Sequence, residues 1–580
     1  MDIVAVLGKN PARQQVTRHA IMDDTIATRQ VNAEAGPRPN LDFQDHLAAL
    51  DKAGLLVRID RPINKDTELH PLVRWQFVGG LAEDARRAFL FTNVVDGSGK
   101  RYDIPVAVGA LAASPRIYAL GMGRAVEEIG PAWLDAISHP IPPITVASPP
   151  CQEVVLKGDD LLGPNGGLKR LPVPVSTPGF DSAPYLTATM VITKDPDTGI
   201  RNTGMYRAAL KASDRLVVRM NTKSAGGYLH WLKYRERKEP MPMAIALGCG
   251  PVVVFTSPQK LAVDQDEMAI AGALAGRAIP MAKALTVDLE VPADAEIVIE
   301  GLIDTSQLEP EAPFGESNGY VALEAYNMPM QVTAITMKRA PVFSSIISQV
   351  TPSESCVIKK VAYEPLFLSH LRDHLGIRGV RRVVMHEPLS NLRPVVFVQF
   401  ANGTPRSEVW RGMQGTTTLQ NRVGKVVIAV SEDIDPSNTD AVFWSIAYRS
   451  NPIEDVLLMP YGGALQGAQY GPNQQDSIML IDATLKHPMP PLALPTKPYM
   501  EGARAIWQEL GLPQLDQSPP WHGYSLGNWS ERWDTYASRA VSGAWEETGR
   551  ETFAKRRGDV MPESPYRTGE ETGNKGWESK

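Results

Sequence analysis

Apolar residues at Phe43, Leu47, Leu50 and Leu55 recur at helical spacing behind Asn40, and Leu56-Val57-Arg58-Ile59 follows directly. This pattern predicts a helix capped by Asn40 and then a strand. Strand-like runs return at Ala88-Phe89-Leu90-Phe91 and Pro105-Val106-Ala107-Val108, so residues 40–150 read as an α/β unit ending in the proline-rich stretch Pro140 to Pro150. Over residues 151–345 the period shortens. Tyr185 to Thr193, Arg215 to Met220, Met243 to Phe255, Ala295 to Glu300 and Met330 to Met337 predict a largely antiparallel barrel or sandwich, with a helix at Asp266 to Gly276 packed on it. Residues 346–500 alternate: helices at Ala362 to Leu375 and Asp440 to Tyr448, strands at Val383-Val384-Met385, Val395 to Phe400, Val426 to Val430 and Val456-Leu457-Leu458. That order favours a mixed or parallel α/β sheet. Residues 1–39 are polar, with little periodicity, and read as an extension. Residues 501–580 carry Trp507, Trp521, Trp529, Trp533, Trp545 and Trp577 on a mostly polar tail. Such aromatics need a surface to cover, and another subunit is the expected one.

Composition narrows the classes. At 580 residues the chain is too long for a single core. Its 43% hydrophobic and 21% charged residues are ordinary for a soluble globular protein. A net charge of -6, without a basic face, argues against a nucleic-acid partner. Cys151, Cys249 and Cys356 are too far apart for a metal pair or a disulfide framework, which points to a reducing cytoplasm. The apolar run Ile3 to Leu7 is too short for a signal-peptide core. Gly248, Gly250 and Pro251 break the longest apolar window, so no membrane partner is expected.

Several familiar motifs fail on inspection. His370 and His374 have the spacing of a metal pair but lack the adjacent glutamate of a HExxH site, so a surface helix is the reading. Gly121-Met122-Gly123 lacks a third glycine and a preceding strand. Gly163 to Lys169 lacks the ending of a phosphate-binding loop, and there is no nucleophile elbow.

Two segments carry chemistry. In Glu309-Pro310-Glu311-Ala312-Pro313-Phe314-Gly315-Glu316 the prolines and glycine disfavour a helix, so Glu311 and Glu316 sit on a constrained turn around an apolar ring. Neighbouring carboxylates beside apolar surface repel, and one can keep a proton toward neutral pH, as general acid catalysis needs. Earlier in the chain, Asp195-Pro196-Asp197-Thr198-Gly199 forms a turn before a strand expected to bear Asn202 and Arg207. An arginine beside two carboxylates would hold one ionised and could clamp a substrate carboxylate.

Together, Asn202-x-Gly204-x-x-Arg207 after its turn and Glu311 to Glu316 after the strand Glu296 to Gly301 resemble the UbiD family of reversible decarboxylases. Ala48 to Ile59, Ala271 to Gly276 and Asp288 to Ala293 are similar to further family stretches, and the resemblance spans roughly residues 40–500. It implies an α+β multidomain fold: an N-terminal α/β unit, a central split β-barrel flavin-binding domain and a C-terminal α/β domain. It also implies prenylated FMN in the central domain, acting as an electron sink when CO2 leaves an aromatic or α,β-unsaturated acid. Carried over by motif, Glu316 is the proton donor, and Arg207 with Glu311 orients substrate and cofactor. Asn202, Gly204, Met205, Arg207, His230 and Ser257 would contact the cofactor. A flavin prenyltransferase would supply that cofactor, and a homo-oligomer from dimer to hexamer is expected.

The chain departs from the pattern in places. The family binds the flavin phosphate through a divalent metal (Mn, Mg or Fe) and potassium, using an Asn, a His and a Glu. Asn202 and His230 match the first two, while Pro280 falls where the glutamate is expected. Ile478 replaces a frequent lysine, and Ser317-Asn318-Gly319-Tyr320 replaces His-Thr-Gly-Tyr after the second acid. The resemblance implies as substrate a free acid or its CoA thioester, phthaloyl-CoA being one example. Alternatives from other classes are a non-catalytic UbiD-like scaffold subunit of a larger carboxylase, and an FMN reductase.

Overall fold

The computed structural model describes residues 39–556 and 558, apart from 221–225, 260, 262–264, 389, 391, 421–422, 462–475, 488–494 and 516–530. The N-terminal extension, save residue 39, and Trp521, Trp529 and Trp577 lie outside the described residues.

The first helix spans Phe43–Lys52 and is capped by Asp42, not Asn40: the Asp42 carboxylate accepts the N–H groups of Gln44 and Asp45. Both residue types cap well, and the apolar period alone does not choose between positions two apart. The helix buries Phe43, Leu47 and Leu50 against a four-stranded sheet ordered Leu56–Ile59, Ala88–Phe91, Val106–Val108, Phe343–Ser345. Its last strand comes from far along the chain and pairs in parallel with Val106–Val108.

The central sheet has ten strands. Its path runs Arg201–Gly204, Met190–Lys194, Met241–Leu247, Ile297–Ile303, Ala325–Met337, Arg215–Val218, Ala208–Leu210, Tyr185–Leu186, with Glu309–Glu311 and Val154–Lys157 also paired to the long strand Ala325–Met337. Every pairing along this path is antiparallel. Residues such as Ile245, Ile299 and Ile335 are fully buried in it, each contributing roughly 1.5–3 kcal/mol by leaving water. The helix Glu267–Ala275 packs where the sequence places one, capped by Asp266 and ended by Gly276 in the left-handed conformation at φ 67°.

The run Met243 to Phe255 is not one strand. The strand Met241–Leu247 ends, Gly248 turns the chain at φ 64°, and a helix Pro251–Thr256 follows. Both pieces are buried, and an apolar run does not distinguish a buried strand from a buried helix. Arg207 is likewise not on the strand of Asn202, which ends at Gly204. A Cβ at Gly204 would lie 2.4 Å from the Tyr206 ring, so Gly204 lets the chain fold over there. Thr189 Oγ1 then donates to the Tyr206 carbonyl at 2.5 Å.

The C-terminal sheet is mixed, ordered Val380–Met385, Val395–Phe400, Val426–Ser431, Asp476–Ala483, Val456–Tyr461, with parallel inner pairs and antiparallel edges. The helix Glu354–Ser369 links it to the rest and runs into a π-turn at His370–His374. Beyond it, the helices Lys497–Glu509 and Trp545–Phe553 bury no residue, and Ile506, Leu510, Trp545 and Phe553 are exposed. Among the described residues no helix is long and apolar enough to cross a membrane.

Candidate active site

Arg207 sits in the link before Ala208–Leu210, its side chain 8% exposed. Its guanidinium is divided between both glutamates. Nε and Nη2 donate to Glu311 Oε1 and Oε2 at 2.8 and 2.9 Å, a bidentate pair, while Nη1 donates to Glu316 Oε1. Glu311 is fully buried, and Asn327 Nδ2 also donates to its Oε2 at 3.3 Å. The Phe314 ring lies 4.4 Å from the guanidinium carbon, a cation–π contact. Burial alone would lower the Arg207 pKa, but the bond to Glu311 and the charges of both glutamates outweigh it and raise the value. Burial, then the charge of Glu311, pushes the Tyr185 hydroxyl up to about 12.

The expected constrained turn is present. Glu309–Glu311 pairs with the start of Ala325–Met337, and Phe314–Gly315 pairs with Val321–Ala322. Between them Ala312 holds φ at 83°, a conformation costly for a residue with a Cβ and kept because its surroundings are packed. Asp181 fixes the far side: its Oδ1 accepts the Gly315 N–H at 2.9 Å and its Oδ2 the Thr177 N–H at 2.7 Å. A Cβ at Gly315 would stand 2.2 Å from Thr177 Oγ1. The arginine expected beside the two carboxylates stands between them, so each acid faces a cation.

Arg219 is a member of this centre that sequence reading passed over. Its Nη1 donates to the same Glu316 Oε1, and its backbone N–H donates to the Arg207 carbonyl at 3.1 Å. The signal was the hairpin register: Ala208 faces Val218, so residues 207 and 219 are neighbours across it.

Among the described residues no hydrogen bond or ion pair joins Asn202, His230 or Ser257 to the triad. Asn202 lies opposite Thr193 in the edge pairing, and directly opposed residues project to one face. Thr193 Oγ1 shares a hydrogen bond of 2.9 Å with His230 Nδ1, so Asn202 and His230 share that face. Burial lowers the His230 pKa to about 4, leaving the imidazole neutral. His230 is on the helix Gly226–Arg237, whose first residue must be small: a Cβ at Gly226 would fall 1.9 Å from Asn202 Oδ1. Among the described residues, Asn202 Nδ2, Thr203 Oγ1 and Ser257 Oγ are buried with no partner at hydrogen-bond geometry. Gly204 is buried and Met205 half-buried, following Thr203 in the chain.

Pro280 brings no donor and pairs with Ile144 in a separate small sheet. The carboxylate at this edge is Glu267, also missed from the sequence, where an acid opening a helix reads as an ordinary favourable charge on the dipole. Its Oε2 accepts the Thr203 N–H at 3.1 Å, and burial pushes its pKa up to about 7. Among the described residues no three His, Cys, Asp or Glu side chains gather as a metal cage. His370 and His374 stack, with ring centres 6.2 Å apart, on a partly exposed turn.

Comparison with known proteins points to one family. Three domain profiles of 3-octaprenyl-4-hydroxybenzoate carboxy-lyase, UbiD, match: the N-terminal domain over residues 47–137, the Rift-related domain over 144–350 and the C-terminal domain over 356–483. The uncharacterized protein sll0936 of Synechocystis is 28% identical over 447 residues, 72% of this chain and 84% of its own. The structure of the UbiD-class enzyme HmfF from Pelotomaculum thermopropionicum in complex with FMN has a TM-score of 0.68 at 28% identity, covering 78% of this chain and 95% of that one. The closed form of vanillic acid decarboxylase from Sedimentibacter hydroxybenzoicus shares the fold, with a TM-score of 0.70 at 23% identity over 81% of this chain and 99% of its own.

Proposed function

The chain belongs to the UbiD family of carboxy-lyases, and from that premise we propose that it reversibly decarboxylates an aromatic or α,β-unsaturated acid, using prenylated FMN. The observation that carries this reading is the meeting of Arg207, Glu311 and Glu316, brought together from 104 and 109 residues apart. Arg207 and Glu311 form a rigid, buried ion pair that orients substrate and cofactor. Glu316, 16% exposed, is the member that a substrate carbon can reach, and it is the proton donor. Were bound substrate and cofactor to exclude water, each of these charges would act at lower dielectric.

The residues at the sheet edge fit the phosphate end of such a cofactor. Asn202, His230 and Glu267 offer amide oxygen, imidazole nitrogen and carboxylate, a donor set suited to Mg, Mn or Fe. The buried atoms Asn202 Nδ2 and Ser257 Oγ lack partners among the described residues, as groups awaiting a ligand do. The flavin supplies an electron sink when bound. This chain's residues hold it, exclude water and move the proton.

Protein produced together with a flavin prenyltransferase should carry prenylated FMN by absorbance and mass, and should exchange labelled CO2 into its acid. Glu316→Gln should keep the flavin and lose the exchange. Full exchange in that variant would overturn the proton-donor role. The exposed apolar faces of the helices Lys497–Glu509 and Trp545–Phe553 support a homo-oligomer, which light scattering would measure.

A further inference from the structure

Glu316 has two carboxylate oxygens, and the structure treats them differently. Oε1 accepts from two guanidinium groups, Arg207 Nη1 and Arg219 Nη1. Among the described residues no hydrogen bond falls on Oε2. The backbone beneath is fixed as well: the Glu316 N–H donates to the Tyr320 carbonyl at 3.0 Å, and Asp181 holds the N–H of Gly315. Oε1, flanked by two cations, is the worse seat for a proton. Oε2 is the better one.

Arg219 differs from Arg207 in its burial. Arg207 is buried and spends Nε and Nη2 on Glu311, so it serves Glu316 with one nitrogen only. Arg219 makes its ion pair with Glu316, from a side chain 33% exposed. Its N–H on the Arg207 carbonyl ties the two arginines together across the hairpin.

We propose that Arg219 is a positioning residue: with Arg207 it pins Oε1 of Glu316, so that Oε2 carries and delivers the proton. This rests on the proton-donor reading of Glu316. In the step concerned, the bond from carbon to carboxylate breaks, CO2 leaves and the bonding pair stays on the carbon. The proton of Oε2 then forms the new C–H bond. Glu316 is left as a carboxylate, whose charge faces two guanidinium groups until solvent returns the proton.

The test uses flavin-loaded enzyme and whichever of vanillic, 3,4-dihydroxybenzoic, phthalic and cinnamic acids the wild type turns over. Arg219→Gln should lower kcat about 10- to 100-fold with KM within about twofold, the pattern of a misaimed acid. Added guanidinium should restore part of the rate, and Arg219→Lys should fall between. A raised KM with kcat held would mean that Arg219 grips the substrate instead, and would overturn the proposal, as would no change in either constant. A crystal structure of Arg219→Gln needs no turnover: Glu316 should leave its Oε1 contact with Arg207 or spread over several rotamers, and an unmoved Glu316 counts against the idea. Glu316→Gln separates the two levels. If it keeps full activity, the proton-donor reading falls. If it is dead while Arg219→Gln is normal, only the role of Arg219 falls.

Discussion

The triad and the Asn202 edge are built from the same sheet and finished in opposite ways. Around Arg207 the charged groups satisfy one another, with both oxygens of Glu311 engaged and Glu316 held by two arginines. Around Asn202 buried polar atoms have no partner among the described residues, and Glu267 is buried with its pKa pushed up to about 7 by burial. A buried polar group without a partner is costly, so it persists where something outside the chain completes it. The first region is finished by folding. On the proposed function, the second is finished by a guest.

The comparison breaks if the triad tolerates the loss of a member. Arg207→Met leaves Glu311 buried with its charge unpaired, and should cost about 3–5 kcal/mol in urea unfolding. Glu354 is a useful calibrant between the two regions. It accepts four backbone N–H groups, from Gly109, Leu111, Ala112 and Ile347, yet burial still pushes its pKa up to about 7. A carboxyl whose pKa is higher folded than unfolded favours the fold when protonated, so stability is greatest below pH about 4.5 and is lost as pH rises through about 7. Glu354→Gln should remove a fall of roughly 3 kcal/mol between those limits. If the guest-dependent reading of the edge is right, Mn(II) with FMN should stabilise the protein by about 2.7 kcal/mol at a hundred times Kd, and should not stabilise Asn202→Ala. Smallest is Gly226→Ala, whose methyl would meet Asn202 Oδ1: flavin affinity should drop about tenfold, roughly 1.4 kcal/mol, with urea stability of the flavin-free protein nearly unchanged.

Much of this was legible where residue type and local period coincide. The strands Ala88–Phe91 and Val395–Phe400 match their predicted spans, and the helix Glu267–Ala275 lies within one residue of its predicted ends. Glu311 and Glu316 stood out because two prolines and a glycine around paired acids admit few conformations, and Arg207 because its motif resembles the UbiD pattern. What stayed hidden depends on pairing across space. Arg219 gains meaning only once Ala208 is set against Val218, and Glu267 only once its helix is laid beside Thr203. The strand and helix within Met243 to Phe255 differ in partners, not in polarity.

The strand Phe343–Ser345 has a consequence for biosynthesis. Val106–Val108 emerges from the ribosome early, but its outer neighbour is made only after the whole central sheet. Until then the early strand offers open backbone N–H and C=O groups to other chains, so truncated products that stop before residue 343 should be the sticky ones.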